Sequence, residues 1–363
     1  MIQLCAGDPD LAYAWLNRYR GRKPTFACIL SFTETGLIPS ISAAGTTPQA
    51  RRYTALADGE FLVNGCHHTY HQTKYPLPTL SAGVSPAIIT RAILNQQTIP
   101  LHLLSTGLPD RLTVPHISLP SVTAKALDTG QAMAKTEVTA LFNSGRHWGH
   151  QLSIAGHYLI VGECVVGGTT TAQAVLTALG YPVAGRMSSS HFRNNHPQKQ
   201  ALVNQGLDAW EMGHDTSALS ALAAVGDPMQ ATAAGMTLAA SNRGGVLLAG
   251  GSQMLAVYAL AKALAQEQLV TWNPQNVIVG TTRWVIEDPN ADTIAIAQLI
   301  DAPYLASQIN FSASPYFQLR AYERGYVKEG TGAGGCAIAA HLYQGWTRSQ
   351  LRHTVEAQLR QSL

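Results

Sequence analysis

The chain has little charge: only 12% of its 363 residues are Asp, Glu, Lys or Arg, and the net charge is +3. It lacks a block of Lys and Arg residues, and its densest basic stretch, Arg18–Lys23, is typical of a solvated surface. The first residues lack a basic segment followed by an apolar one, and the longest uncharged run, Gly244–Ala261, is interrupted by glycines. We therefore expect a cytoplasmic protein that binds neither nucleic acid nor membrane.

The sequence also lacks closely spaced pairs of cysteines. The five Cys residues are odd in number and none stands in a CxxC motif, which favours reduced thiols. The stretch "CHHTYH" (66–71) places its Cys and His residues side by side, whereas zinc ligands are spaced along the chain. It belongs to the polar, Pro-containing segment 64–86, which is typical of a loop over a site. We therefore expect no metal and no bound cofactor.

Glycine and apolar residues are abundant instead, with 32 Gly and 46% hydrophobic residues. Short apolar segments that end in Gly, Ser or Thr alternate with longer helical patterns. The predicted strands are 25–32, 99–105, 158–163, 245–250 and 276–282, and helices are predicted at 170–180, 227–244 and 253–267. This alternation predicts an α/β fold with a doubly wound, mostly parallel sheet and helices on both faces.

The two ends of the chain have a different pattern. Residues 1–20 and 345–363 are amphipathic and helix-like, without a strand pattern. We expect them to pack together as a small helical cap on a large α/β domain that spans residues 21–344. In doubly wound sheets ligands bind beyond the carboxyl ends of the strands, so the residues that follow each predicted strand are the candidates for chemistry.

The first candidate motif, "GECVVGGTTTAQAV" (162–175), follows a predicted strand. Its glycines and threonines at a helix start can hold a phosphate with backbone amides and hydroxyls. The residues concerned are Gly167, Gly168, Thr169 and Thr170. The GK[ST] ending of a nucleotide-triphosphate loop is missing, which disfavours ATP hydrolysis. A simple N-cap by Thr170 is the alternative.

The second motif, "KEGTGAGGCAIAAHL" (328–342), contains the spacing G-x-G-x-x-G. A dinucleotide fingerprint requires a strand before it and a βαβ unit after it, but "LRAYERGYVKE" is charged and too little chain follows. Two interpretations remain. The glycines can form a purely structural turn, or the turn can hold Glu329 against a ligand while the amides of residues 330–334 bind an anion or a polar ring.

At these residues the sequence resembles a known family. "VGECVVGGTTTAQAVLTALG" (161–180) is similar to the G-E-x-x-x-x-N-T-T segment, and "KEGTGAGGCAIAA" (328–340) to the G-E-G-[ST]-G-A segment, of the nicotinate-nucleotide:dimethylbenzimidazole phosphoribosyltransferases of cobamide lower-ligand assembly. The order of the motifs agrees, as does the segment 226–261 between them. The similarity extends from about residue 80 to residue 345 and is greatest to the archaeal and cyanobacterial branch.

The resemblance implies an enzyme, a pentosyltransferase that moves the phosphoribosyl group of nicotinate mononucleotide to a benzimidazole or purine base. The products are nicotinate and an α-ribosyl nucleotide. The family's general base corresponds to Glu329, and Glu163 corresponds to the Glu of the first motif, where it supports the base pocket or orients the ribose. A glutamate in an apolar, glycine-lined pocket can have a raised pKa suited to proton removal. The resemblance also implies a homodimer.

Further site residues follow from the resemblance. Lys199 falls near a family lysine associated with the phosphate, and Ser85 is a candidate for contact with the incoming base. The other phosphate or ribose candidates are Gly167, Gly168, Thr169, Thr170, Thr281, Thr282, Gly330, Thr331 and Gly332. Each of these residues also has an ordinary structural interpretation.

Two positions depart from the family pattern. Gly168 replaces an Asn of the first motif, and Ala249 stands where an Asp is usual. These departures motivate an alternative function, a catalytically inactive nucleotide-binding or sensing protein on the same scaffold. A diphosphate-using phosphoribosyltransferase is a third option, but no predicted strand ends in the paired acids that it requires.

Overall fold

The computed structural model describes residues 1–65, 74–78, 80, 82–210 and 215–362. Its strands are β1 (Ile2–Ala6), β2 (Thr25–Ser31), β3 (Leu101–Thr106), β4 (Ile117–Ser118), β5 (Tyr158–Cys164), β6 (Gly245–Ala249), β7 (Val277–Thr282) and β8 (Tyr304–Ser307). They form one sheet in the order β1-β8-β7-β6-β5-β2-β3-β4. All neighbours are parallel except β1 and β8, which confirms the predicted mostly parallel sheet.

Helices connect the strands. They are α1 (Pro9–Tyr19), α2 (Pro48–Arg52), α3 (Thr54–Asn64), α4 (Ala87–Gln96), α5 (Lys135–Leu152), α6 (Gly168–Ala178), α7 (His196–Ala209), α8 (Ala218–Val225), α9 (Pro228–Ser241), α10 (Ser252–Glu267), α11 (Arg283–Ile286), α12 (Thr293–Leu299), α13 (Phe317–Glu323), α14 (Ala333–Gln344) and α15 (Arg348–Ser362). Within the described ranges, no helix combines the length and apolarity needed to cross a membrane.

Helices cover both faces of the sheet, as predicted. The apolar cluster on one face includes Trp15 of α1, Ile88 of α4 and Ile338 of α14. The cluster on the other face includes Met236 of α9 and Leu255 of α10. Both faces of the parallel strands are therefore buried, which explains why strands such as "YLIVGEC" are apolar throughout instead of alternating.

The beginning of the chain differs from the expectation. Residues 1–20 were expected to be helical, but Ile2–Ala6 form β1, which pairs antiparallel with β8 at the sheet edge. A five-residue strand at a sheet edge needs no long apolar segment, and a strand of this kind has no clear pattern in the sequence. Residues 9–19 and 348–362 are helical, as predicted. A separate unit formed by residues 1–20 and 345–363 stays a prediction.

The chain reverses its direction across the sheet at β2. From β2 it proceeds outward to β3 and β4, then returns to place β5 on the other side of β2 and continues to β6, β7 and β8. The carboxyl ends of β2 and β5 therefore flank a topological switch point. Ligands bind in the crevice at such points, because the two connecting loops diverge there.

Helices α5 and α9 pack with their backbones in direct contact. A Cβ on Gly145 of α5 would lie 2.1 Å from the Thr232 carbonyl oxygen, and a Cβ on Gly235 of α9 would lie 2.2 Å from the Phe142 oxygen. Both distances are far below van der Waals contact. Glycine is therefore required at both positions for close helix packing.

We predict that Gly145→Ala destabilises the protein, although alanine favours an isolated helix by about 1 kcal/mol. The overlap with Thr232 forces the helices apart, so we expect the free energy of unfolding to fall by about 1–3 kcal/mol. Urea denaturation followed by circular dichroism measures the loss. Asn143→Ala, at an exposed position of the same helix, is the control and should change stability by less than about 0.5 kcal/mol. Equal midpoints for the two variants would contradict the packing argument.

Candidate active site

A cleft opens at the switch point, beyond the carboxyl ends of β2 and β5. Its empty volume, with the open mouth included, is about 1060 Å³. Two groups of polar residues line it: an acidic cluster of Asp58, Glu163 and Glu329, and a serine cluster of Ser42, Ser188, Ser189, Ser190 and Ser252. Apolar residues between them include Pro78, Leu80, Ala82, Pro86 and Val165. A cleft of this size and mixed lining suits an organic ligand with one charged end.

Glu329 is presented by a strained turn between α13 and α14. The Lys328 N–H donates to the Tyr326 carbonyl and the Glu329 N–H to the Val327 carbonyl, which makes two successive γ-turns. Val327 and Lys328 have φ values of 68° and 69°. Positive φ at a β-branched residue is uncommon, and γ-turns of this hand are rare and strained. Strain of this kind persists where surrounding contacts enforce it, typically at functional sites.

Two contacts hold the strained turn in place. The Lys328 ammonium forms an ion pair of 2.6 Å with Asp288, and both side chains are buried. Beyond Glu329, Thr331 has a φ of 51° and is fixed at both of its polar groups. Its N–H donates to the Glu163 carbonyl at 3.1 Å and its hydroxyl to Asp58 at 2.9 Å. The turn is therefore tied to β5 and α3.

Four donors surround the Glu329 carboxylate. Oε2 accepts from the Thr281 hydroxyl and the Thr282 N–H, both at 2.9 Å. Oε1 accepts from the N–H groups of Gly330 at 3.2 Å and Gly334 at 3.0 Å. Burial raises the pKa of Glu329, while the four hydrogen bonds stabilise the ionised form and oppose that rise. The Thr281 hydroxyl is the one donor of the four that can rotate and release an acceptor site.

Glu163 lies on β5 and is almost completely buried. Its Oε2 accepts from the Val165 N–H at 2.9 Å and its Oε1 from the Gln253 amide at 3.0 Å. Burial raises the pKa of Glu163 to about 8, and the negative charges of neighbouring carboxylates add to the rise. At pH 7 the side chain is therefore mainly protonated and neutral, whereas a carboxyl with ordinary pKa would be charged.

The structure shows what surrounds the two departures from the family pattern. A Cβ on Gly168 would lie 1.8 Å from the Gln253 side-chain oxygen, so a side chain at position 168 would require Gln253 to move. Ala249, at the end of β6, packs against α14, because a Cβ on Gly335 would lie only 2.4 Å from the Ala249 Cβ. Each position is therefore in close contact with a neighbouring element.

Basic side chains lie behind the serine cluster. Lys199 is completely buried and its ammonium donates to the Ser188 carbonyl at 3.2 Å. Burial and the nearby charge of Lys328 together lower the pKa of Lys199 to about 7, so the side chain is partly charged at pH 7, and a bound anion favours the charged form. Arg51 is also buried, and the charges of Arg51, Lys199 and Lys328 all act on His191 of the adjoining loop. The serine cluster is therefore an electrostatically favourable place for an anion.

The structure brings most of the predicted site residues to the cleft wall. These are Ser85, Glu163, Gly167, Gly168, Thr169, Glu329, Gly330 and Thr331. Five others lie behind the wall. They are Thr170, Lys199, Thr281, Thr282 and Gly332, of which the two β7 threonines bind the Glu329 turn and Lys199 contacts the serine loop. Their assignment to direct phosphate or ribose contact stays a prediction.

Several cleft residues were missed from the sequence. Asp58, Gln253 and the serine cluster lie in segments that have no recognisable motif, although "SSS" (188–190) between predicted elements is a weak signal for an anion loop. The stretch 66–71 lies outside the described residues. Within the described part of the chain, no group of three or more Cys, His, Asp and Glu side chains is arranged to hold a metal.

With this geometry established, comparison with known proteins places the chain in a class. Residues 95–274 match the family model described as "Phosphoribosyltransferase", which covers Glu163, the helix start at 167–170 and Lys199. This match supports an enzyme of the pentosyl-transferring class, a phosphoribosyltransferase, and the doubly wound fold is compatible with it.

The chain belongs to the UPF0284 family. It is 52% identical to the UPF0284 protein of Gloeothece citriformis over 359 residues, which cover 98% of this chain and 96% of the relative. It is 54% identical to the UPF0284 protein of Cyanothece sp. over 348 residues, which cover 96% of this chain and 94% of the relative. The similarity therefore extends over nearly the whole of each protein.

Two solved structures share the fold. CobT from Thermus thermophilus has a TM-score of 0.62 with 15% identity, over 95% of this chain and 89% of the other. A nicotinate-nucleotide-dimethylbenzimidazole phosphoribosyltransferase from Thermus thermophilus has a TM-score of 0.59 with 14% identity, over 97% and 96% of the two chains. At this identity the likeness concerns the fold, and it confirms the predicted α/β architecture.

We predict that Glu163 titrates near pH 8, because burial disfavours its ionised form. In protein labelled with ¹³C at the glutamate side-chain carboxyl, one NMR resonance should shift with a midpoint of about 8, and this resonance should be lost in Glu163→Gln. Glu287→Gln, at an exposed carboxylate, should leave the resonance in place. A resonance with that midpoint in Glu163→Gln, or no such resonance in the unmodified protein, would refute the assignment.

Proposed function

We propose that this protein transfers the phosphoribosyl group of nicotinate mononucleotide to a benzimidazole or purine base, giving nicotinate and an α-ribosyl nucleotide for cobamide lower-ligand assembly. The observation that carries the proposal is the presentation of Glu329 by a strained turn in a cleft that also contains the serine cluster. The resemblance of both cleft motifs to the family, and the fold shared with the two Thermus thermophilus structures, support the same reaction.

The charges of the cleft indicate how nucleotide and base are oriented. The phosphate suits the serine cluster, where the α6 N-terminus at Gly167 and Gly168 adds its amides and dipole to the positive charge of Lys199. With the phosphate held there, C1′ of the ribose faces the acidic cluster. The acceptor base then lies between C1′ and Glu329, and the pyridinium leaves from the opposite face of C1′.

The chemistry is a single displacement at C1′. A ring nitrogen of the acceptor attacks C1′ with its lone pair, the C1′–N bond to the pyridinium breaks, and the bonding electrons neutralise the leaving nicotinate ring. In-line attack inverts the configuration at C1′, which converts a β-nucleotide into the α-product. Glu329 accepts the proton from the acceptor's ring N–H when the Thr281 hydroxyl rotates away from Oε2. General-base assistance of this kind contributes about 10²–10⁴ in rate.

Glu163 has a different role in the proposed reaction. Because its carboxyl is mainly neutral at pH 7, it can donate a hydrogen bond to a ribose oxygen while Gln253 and the Val165 N–H hold its other sites. A neutral Glu163 also keeps a further negative charge away from Glu329 during proton transfer. We assign Glu163 to orientation of the sugar.

The homodimer and the cytoplasmic location implied above also belong to the proposal. Phe317 exposes 64% of its surface at the start of α13, the helix that precedes the turn carrying Glu329. Sedimentation of the purified chain tests the oligomeric state, with a mass near twice 38.7 kDa expected for the dimer.

The reaction is tested by mixing the protein with nicotinate mononucleotide and either adenine or dimethylbenzimidazole, and measuring nicotinate release by chromatography. We expect release with an acceptor present, and we expect Glu329→Gln to lower kcat by about 10²–10⁴. The dissociation constant for nicotinate mononucleotide should change much less than kcat, since the variant keeps the size of the side chain and one oxygen that can accept from Gly330 and Gly334.

Glu287→Gln is the matched control, because it removes a carboxylate of the same size from an exposed position outside the cleft. It should turn over like the unmodified enzyme. Turnover at the unmodified rate in Glu329→Gln would contradict the assigned role. Binding of the nucleotide by calorimetry, without product across a panel of bases, would support the alternative of an inactive nucleotide-binding or sensing protein.

A further inference from the structure

The third carboxylate of the acidic cluster, Asp58, has no part in the displacement described above. It lies on α3, is 3% exposed and lines the cleft. We propose that Asp58 selects the acceptor base by accepting a hydrogen bond from an amino group of the ring, so that the site takes an amino-substituted heterocycle of the adenine type. This assignment rests on the proposed function and specifies the acceptor that the function leaves open.

The hydrogen bonds of Asp58 leave one acceptor position open. Oδ1 accepts one hydrogen bond, from the Ser85 hydroxyl at 2.8 Å. Oδ2 accepts two, from the Thr331 hydroxyl at 2.9 Å and the Cys164 thiol at 3.3 Å. Burial raises the pKa of Asp58, but these three hydrogen bonds stabilise the ionised form, which has about four acceptor positions. The fourth is on Oδ1, the oxygen shared with the cleft residue Ser85.

Ser85 is fixed in this arrangement. Its hydroxyl accepts from the Ala87 N–H at 3.2 Å while it donates to Asp58. The single hydroxyl proton is therefore committed to Oδ1. At this part of the cleft the protein presents acceptors toward a ligand, and a ligand edge that carries N–H donors is complementary to them.

Asp58 is also linked to both residues assigned to the reaction. Thr331, its partner on Oδ2, follows Glu329 by two positions in the same turn, and Cys164 follows Glu163 directly on β5. A base placed with its ring N–H at Glu329 therefore has another of its edges near Asp58. The apolar residues Pro86 and Leu80 on the same wall suit the faces of a flat ring.

The open acceptor position decides between acceptor bases. A base without an amino group covers Asp58 Oδ1 and leaves its second acceptor position buried without a donor. A base with an amino group donates a hydrogen bond to that position. Sites built to hydrogen-bond a ligand group reject analogues that lack the group. Adenine and unsubstituted purine have the same ring system and differ in the amino group, so they form the matched pair of probes.

The experiment measures kcat/KM for adenine and for purine with nicotinate mononucleotide as donor, and compares their ratio between variants. We expect the unmodified enzyme to prefer adenine by at least about tenfold, as expected for one buried polar group left without its partner. Asp58→Asn, which replaces an acceptor with a donor, and Asp58→Ala should both bring the ratio to within about threefold of unity. A loss of folded protein lowers both rates equally and leaves the ratio unchanged.

Glu60→Gln is the control, since Glu60 is a buried carboxylate on the same helix that binds the Tyr75 N–H and the Thr113 hydroxyl. It should keep the preference for adenine. Formate added to Asp58→Ala should restore part of the preference, because it returns a carboxylate to the vacated space. An unmodified enzyme that does not distinguish the two bases, or Asp58 variants that keep the preference, would overturn the proposal.

Calorimetry separates this proposal from the reaction itself. Adenine and purine are titrated into the same variants in the presence of nicotinate mononucleotide. Tighter binding of adenine that depends on Asp58, without release of nicotinate, would reject the transfer reaction and retain the role of Asp58. Turnover of both bases with equal affinity in all variants would retain the reaction and reject the role of Asp58.

Discussion

The hydrogen bonding of the Glu329 carboxylate is the constraint on which the rest of the cleft depends. Four donors reach it only because the end of β7, the turn at 327–332 and the start of α14 meet at one point. There is no space for a side chain at Gly334, where a Cβ would lie 2.2 Å from the Thr281 carbonyl carbon. The buried Lys328–Asp288 ion pair holds the strained side of the turn, and loss of one partner from such a pair costs about 3–5 kcal/mol.

The separation of charge in the cleft follows from the same topology. The acidic cluster is formed by β5, α3 and the Glu329 turn, whereas the serine cluster is backed by the cations Lys199 and Arg51. A nucleotide with its anionic phosphate at the serine cluster turns its C1′ toward the acidic cluster, where the acceptor base binds. Burial raises the pKa of both carboxyls, but hydrogen bonding distinguishes them: four donors oppose the rise at Glu329, while Glu163, with a pKa of about 8, is mainly neutral at pH 7.

The sequence predicted the central strands and the helices between them, because long apolar segments are local signals. It also indicated Glu329 as a candidate site residue, because the glycine-rich motif beside it is a local signal too. It missed β1, β4 and β8, which have between two and five residues and are specified by their partners in the sheet. Asp58 could not be found, because its environment arises from Ser85, Cys164 and Thr331, which are distant in the sequence. Gly168 departs from the family motif, and the sequence could not show its surroundings, because the neighbouring Gln253 is distant along the chain.

A crystal structure with nicotinate mononucleotide bound would show directly how the nucleotide lies in the cleft. We expect phosphate oxygens within about 3 Å of donors in the loop 188–190 or at the start of α6, and the ribose C1′ facing Glu329. A phosphate beside Asp58 and Ser85, or a nucleotide bound outside the cleft, would refute this orientation and with it the role of Glu329.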